Sequence, residues 1–144
     1  MTLILSIHPV AQLGAILLGF YAAYLGYQRT RSLHFGQSEK FLRQRHGIIG
    51  SIGLLSMLGG IGAGSIMVNR YLLNPDMGLH VAIAMIILPL GLFGLFSGLY
   101  LYLTPKPRKI LPALHGINNL VVLILALGQI VTGMMAYLRH VLRI

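Results

Sequence analysis

The spacing of charges constrains this chain more than anything else in it. Cutting the sequence at Lys, Arg, Asp and Glu leaves four long uncharged runs: Met1 to Gln28, Gly47 to Asn69, Met77 to Pro105 and Ile110 to Leu138. Each exceeds the roughly 20 residues, at about 1.5 Å rise, that a helix needs to cross hydrocarbon. A backbone in lipid must satisfy its own N–H and C=O groups, which leaves helices or a closed barrel. Barrel strands alternate in polarity, whereas these runs are apolar on all faces and rich in Leu, Ile, Ala and Gly. The sequence therefore predicts an all-α membrane protein. The fold class is an antiparallel up-down-up-down bundle of four transmembrane helices forming one domain over 1–144, with spans near 5–28, 47–69, 78–103 and 112–138 by the roughly 20-residue rule.

The linkers orient the bundle. Arg29, Arg31, Lys40, Arg43 and Arg45 lie in the first, and Lys106, Arg108 and Lys109 in the third, against Arg70, Arg139 and Arg143 on the opposite side. The positive-inside rule puts the two basic loops in the cytoplasm and both termini on the outer or lumenal side. The expected setting is a bacterial inner membrane or a thylakoid. The first run has no basic n-region and no small-residue cleavage site, so it is expected to stay as a span.

Composition then removes whole classes of chemistry. The basic residues bracket apolar runs instead of forming one exposed stripe, which excludes nucleic acid as a partner. With no cysteine there is no disulfide, iron-sulfur cluster, thiolate zinc site or CxxCH haem attachment. Glu39 and Asp76 are the two acidic residues, too few for a calcium cage, a di-iron carboxylate centre or paired acid/base hydrolysis. Histidine is the main chemistry left, and there are six.

His8, His46, His80 and His115 each stand at the start of a span. Alternate helices run in opposite directions, so His8 and His80 fall near one membrane face and His46 and His115 near the other. Helices one and three are diagonal partners in such a bundle, as are two and four, so each pair can face across the interior at one depth. Reading onward from each histidine in steps of four and three tests which way it points. The stripes are His8, Gln12, Ala15, Gly19, Ala22, Gly26; His46, Gly50, Gly53, Met57, Gly60, Gly64; His80, Ala84, Ile87, Gly91, Gly94, Gly98; and His115, Asn119, Val122, Ala126, Gln129, Gly133. All four are dominated by small or polar residues, with Met57, Ile87 and Val122 near their middles. Close helix packing explains the glycines, because small residues let membrane helices approach. It does not explain an imidazole heading every stripe, since ionisable groups at membrane depth are costly without a partner.

A bis-histidine b-type haem requires this arrangement: iron takes neutral imidazole axially, and glycine makes room for a flat macrocycle. Gly60 and Gly64 are expected at the depth of His8 and His80 with Gly133 nearby, and Gly26 and Gly98 at the depth of His46 and His115. Zinc or copper fits less well, because two separate two-histidine sites lack further ligands. Arg43 and Arg45, just before His46, are placed to meet propionates, or serve only as orientation signals. Asn118, Asn119 and Gln129 need hydrogen-bond partners within a span. Pro9 is expected in the first turn of its helix and Pro89 at a kink. His140 stands on the same side as His8 and is its alternative as a ligand, while His34 reads as a solvated linker histidine.

The motifs HP at 8–9, YLG at 24–26, RQRHG at 43–47, GLH at 78–80, LHGINN at 114–119 and QIVTG at 129–133 run nearly end to end. Together they resemble small four-helix membrane proteins related to cytochrome b561 and the ferric-reductase-like transmembrane domains, in particular a branch found mainly in photosynthetic organisms. The resemblance implies two b haems with His8, His46, His80 and His115 at the ligand positions. The larger relatives carry six helices. The expected function is transmembrane electron transfer between haem levels at most roughly 27 Å apart along the axis. Expected partners are membrane lipid and an electron donor and acceptor drawn from quinone, an ascorbate-like reductant or ferric iron, with a homo-oligomer or a larger membrane complex as the setting. The alternative is a non-enzymatic subunit whose histidines hold chlorophyll or a single haem. A histidine-lined channel is weakest, since no acidic residue lies in a span to carry a coupling ion.

Overall fold

The structure is a computed structural model and describes residues 2–38, 40–72 and 77–143. Glu39 and Asp76 therefore lie outside the described residues, as do the side chains of Thr2, Leu33 and His34. Four helices follow one another: α1 (Thr2–His34), α2 (Arg43–Tyr71), α3 (Gly78–Leu103) and α4 (Ile110–Tyr137), the last running into a short π-helical turn, Leu138–Leu142. All four are long and apolar enough to cross a membrane, and the protein is a multi-pass membrane protein. Neighbours around the bundle are α1 with α2, α2 with α3, α3 with α4 and α4 with α1, which makes it an antiparallel up-down bundle with α1/α3 and α2/α4 as diagonals. Packing is closest within the α1–α2 and α3–α4 hairpins.

Local chemistry sets the helix ends. After α1 the chain turns at Gly36, whose φ of +64° suits glycine, and the Gln37 N–H reaches back to the Arg31 carbonyl at 3.3 Å. At the end of α3 the Thr104 N–H and hydroxyl both donate to the Tyr100 carbonyl, and Pro105 blocks continuation. Two boundaries differ from expectation. α1 runs past Gln28 to His34, so His34 belongs to a helix end and not to the linker. It also begins well before His8, which puts Pro9 inside the helix instead of in its first turn. Membrane helices accept such prolines because neighbouring groups satisfy the freed carbonyl.

The stripes read from the sequence face inward. Ala15, Ala22, Gly53, Met57, Gly60, Ile87, Gly91, Gly94, Val122 and Ala126 are all buried, while Leu17, Ile66, Phe96 and Ile124 are exposed on the outer faces. This is the inverse of a soluble domain and suits a lipid solvent. At mid-depth Ala15, Ile16, Met57, Ile87, Val122 and Ala126 form one apolar cluster. The α1–α2 contact is backbone to backbone: a Cβ on Gly53 would stand 3.3 Å from the Gly19 nitrogen and 3.4 Å from the Ala15 carbonyl oxygen.

Candidate functional site

The apolar cluster divides the bundle into two ends. His46 and His115 lie at the end bearing the basic loops, and His8 and His80 at the end bearing the termini. All four rings adopt the same pose, each seated on a glycine of the neighbouring helix in its own hairpin. A Cβ on Gly26 would meet Cε1 of His46 at 3.0 Å, on Gly64 Cε1 of His8 at 2.9 Å, on Gly98 Cε1 of His115 at 3.0 Å, and on Gly133 Cε1 of His80 at 3.0 Å. The contacts are reciprocal. In each hairpin the histidine of one helix sits on the terminal glycine of the other. The glycines thus make room first for imidazole rings, a more local role than the macrocycle clearance read from the sequence.

At the basic end the His46 and His115 rings come from diagonal helices whose backbones stay apart, yet their centroids are 6.2 Å apart with planes at 76°. An imidazole nitrogen binds a first-row metal at about 2 Å and the ring centre lies about 1 Å beyond it, so two imidazoles on opposite sides of one metal atom would have centroids about 6 Å apart. The observed spacing and donor set match that requirement. At the other end His8 and His80 are seated on Gly64 and Gly133, also from diagonal helices. Among the described residues no three of His, Asp and Glu gather, so each end offers two imidazoles and no further strong ligand.

The second ring nitrogens are anchored unequally. His46 Nδ1 lies 2.9 Å from the Ala22 carbonyl, to which it donates. His115 Nδ1 lies 2.9 Å from the Ser97 hydroxyl and His80 Nδ1 lies 3.1 Å from that of Thr132. His8 Nδ1 is buried without a partner among the described residues. It is His8, not His140, that occupies the place over Gly64; His140 lies in the π-helical turn. Orienting one imidazole nitrogen through a carbonyl or hydroxyl frees the other to bind metal.

The amides sit one turn from the histidines. The Asn119 amide donates to its own helix at the His115 carbonyl, 2.9 Å, and its nitrogen is nearly equidistant from both His115 ring nitrogens, 3.3 Å from Nδ1 and 3.2 Å from Nε2, while its oxygen is buried over Gly94 without a partner among the described residues. Gln12 packs against Gly60 and donates to the Ser56 carbonyl at 3.1 Å. Gln129 donates to the His80 carbonyl and Asn118 to the Leu90 carbonyl, each at 2.9 Å. Arg43 is engaged with α3: it donates to the Tyr102 carbonyl and its guanidinium lies 5.0 Å from the Tyr102 ring centre. Arg45 is exposed at the same end.

Ser97 and Thr132 escaped the sequence reading because a lone hydroxyl in a span has many uses. A signal for them exists. Each partner glycine stands 18 residues after its own helix's histidine in all four helices, and the hydroxyls of α3 and α4 immediately precede those glycines. In comparisons with known proteins, no family model, no curated protein and no solved structure matches this chain.

Proposed function

We propose that this protein is a transmembrane electron carrier holding two b-type haems, one at each end of the bundle, between His46 and His115 and between His8 and His80. The observation that carries this reading is the 6.2 Å approach of two imidazoles from diagonal, non-adjacent helices. Bringing two ionisable rings together inside an apolar bundle is unfavourable unless something between them uses both. When bound, haem supplies reversible one-electron chemistry. The chain supplies axial nitrogen, orientation and exclusion of water.

Each part of the chain has a task under this proposal. The carbonyl of Ala22 and the hydroxyls of Ser97 and Thr132 orient the imidazoles. Gly26, Gly64, Gly98 and Gly133 admit the rings to the interior, and Gly60 admits Gln12. The cluster around Met57, Ile87 and Val122 places an apolar layer between the two ends. Arg43, Arg45 and their neighbours hold the basic loops in the cytoplasm. The likeness to the cytochrome b561 and ferric-reductase-like proteins in the order of the histidine motifs supports the same function. It leaves quinone, an ascorbate-like reductant or ferric iron as the exchange partners.

The test is a reduced-minus-oxidised absorption spectrum of the full chain purified after haem-replete expression, with extracted pigment quantified against protein. The expected result is a b-type spectrum and two haems per chain. A preparation with no Soret band, or one that carries chlorophyll in place of haem, overturns the proposal.

A further inference from the structure

We infer that Ser97 and Thr132 are positioning residues that hold His115 and His80 in the Nδ1–H tautomer, leaving Nε2 of each ring bare for a metal. This rests on the reading of these histidines as ligands, but the evidence for it is the proton accounting of the hydroxyls themselves. Ser97 is buried, with Oγ 3.2 Å from the Gly94 carbonyl oxygen and 2.9 Å from His115 Nδ1. The hydroxyl of Ser97 donates back to the Gly94 carbonyl, as helical serine commonly does, and we take its single proton to lie there. Its oxygen then accepts, and the proton between Ser97 and His115 belongs to Nδ1.

Thr132 repeats the arrangement on the other helix of the same hairpin. Its hydroxyl lies 3.1 Å from the Gly128 carbonyl, the back-bond that helical threonine commonly makes, and 3.1 Å from His80 Nδ1. The Gln129 side-chain oxygen, at 3.2 Å, is a further acceptor for the same proton. Thr132 therefore also accepts from the ring.

The α1–α2 hairpin lacks the device. The residues immediately before its partner glycines are Leu25 and Ala63, which offer no side-chain acceptor. His46 uses the Ala22 carbonyl instead, and His8 Nδ1 has no partner among the described residues. Each proposed site thus combines one hydroxyl-anchored imidazole with one that is not. An Nδ1–H that donates to an acceptor makes the ring a stronger donor to metal through Nε2, favouring the oxidised ion.

The experiment uses the full chain labelled with 15N-histidine, purified in detergent from cells grown with and without haem supply. Ring-nitrogen NMR of the haem-free preparation should show Nδ1–H tautomers at His115 and His80. Ser97→Ala should convert His115 alone to a tautomer mixture and Thr132→Val should do so to His80 alone, while Ser97→Thr and Thr132→Ser keep the native signals. In the haem-loaded chain Ser97→Ala and Thr132→Val should each raise one of two midpoint potentials, and the hydroxyl-retaining variants should raise neither. Native-like tautomers in both Ser97→Ala and Thr132→Val, or Nε2–H tautomers in the parent chain, overturn the inference. A parent chain that binds no haem yet shows the predicted tautomers would sink the proposed function and leave the positioning role standing.

Discussion

Replacing Gly26 with Ala isolates the contact on which one histidine is seated. The new Cβ would stand 3.0 Å from His46 Cε1. Carbon atoms rest at about 3.5–4.0 Å, so the ring must retreat by roughly 0.5–1 Å. That retreat stretches the 2.9 Å bond from Nδ1 to the Ala22 carbonyl, which is worth about 1 kcal/mol. Overpacking a fitted interior costs about 1–3 kcal/mol more, and the better helix propensity of Ala returns up to about 1 kcal/mol. The net expectation is a loss of about 1–4 kcal/mol. Gly62→Ala provides the control, since a Cβ there meets nothing within 4 Å and only the propensity gain applies. Gly64→Ala crowds His8 at 2.9 Å, but with no Nδ1 bond to break it should cost about 1 kcal/mol less than Gly26→Ala. Denaturation by SDS in mixed micelles, followed by far-UV circular dichroism, measures all three. Equal midpoints for Gly26→Ala and Gly62→Ala would mean that the imidazole–glycine contact does not hold the hairpin.

Three further outcomes are expected. Ile87→Ala opens a void in the mid-bundle cluster; because the unfolded reference is also in an apolar medium, only packing is lost, and the same denaturation should show about 1–3 kcal/mol, below the full range for soluble cores. Tyr137→Phe removes the 2.6 Å hydrogen bond that joins the end of α4 to Ser6 on α1, costing about 1 kcal/mol, while Tyr71→Phe on the exposed rim should be neutral within about 0.5 kcal/mol. Arg43→Lys keeps the charge but loses the planar guanidinium over Tyr102, so faster hydrogen exchange at the start of α2 is expected, with the orientation of the chain in the membrane unchanged.

Much of the architecture was legible because lipid narrows the options. Charge spacing alone predicted four spans, and the period of Gln12, Ala15 and Ala22 or of Gly53, Met57 and Gly60 identified the inward faces. The depths of Gly26, Gly64, Gly98 and Gly133 followed from antiparallel geometry. What they touch did not, because that depends on interhelical register, which one sequence read helix by helix does not contain. Contacts to backbone were equally hidden. The carbonyls of Ala22 and Tyr102 would be there whatever side chain stood at those positions, so no residue type announced the partners of His46 and Arg43. Pro9 was misplaced because charge and hydropathy are blind to where α1 begins, and the helix starts above His8 as well as below it.

Diagonal pairing of the histidines is tested most directly by counting haem in single and double variants of the full chain. His46→Ala, His115→Ala and the double variant of those two should each retain one haem per chain. His46→Ala combined with His8→Ala should retain none. A His46→Ala/His115→Ala chain with no haem, or a His46→Ala/His8→Ala chain that still holds one, would contradict the pairing of these rings across the bundle.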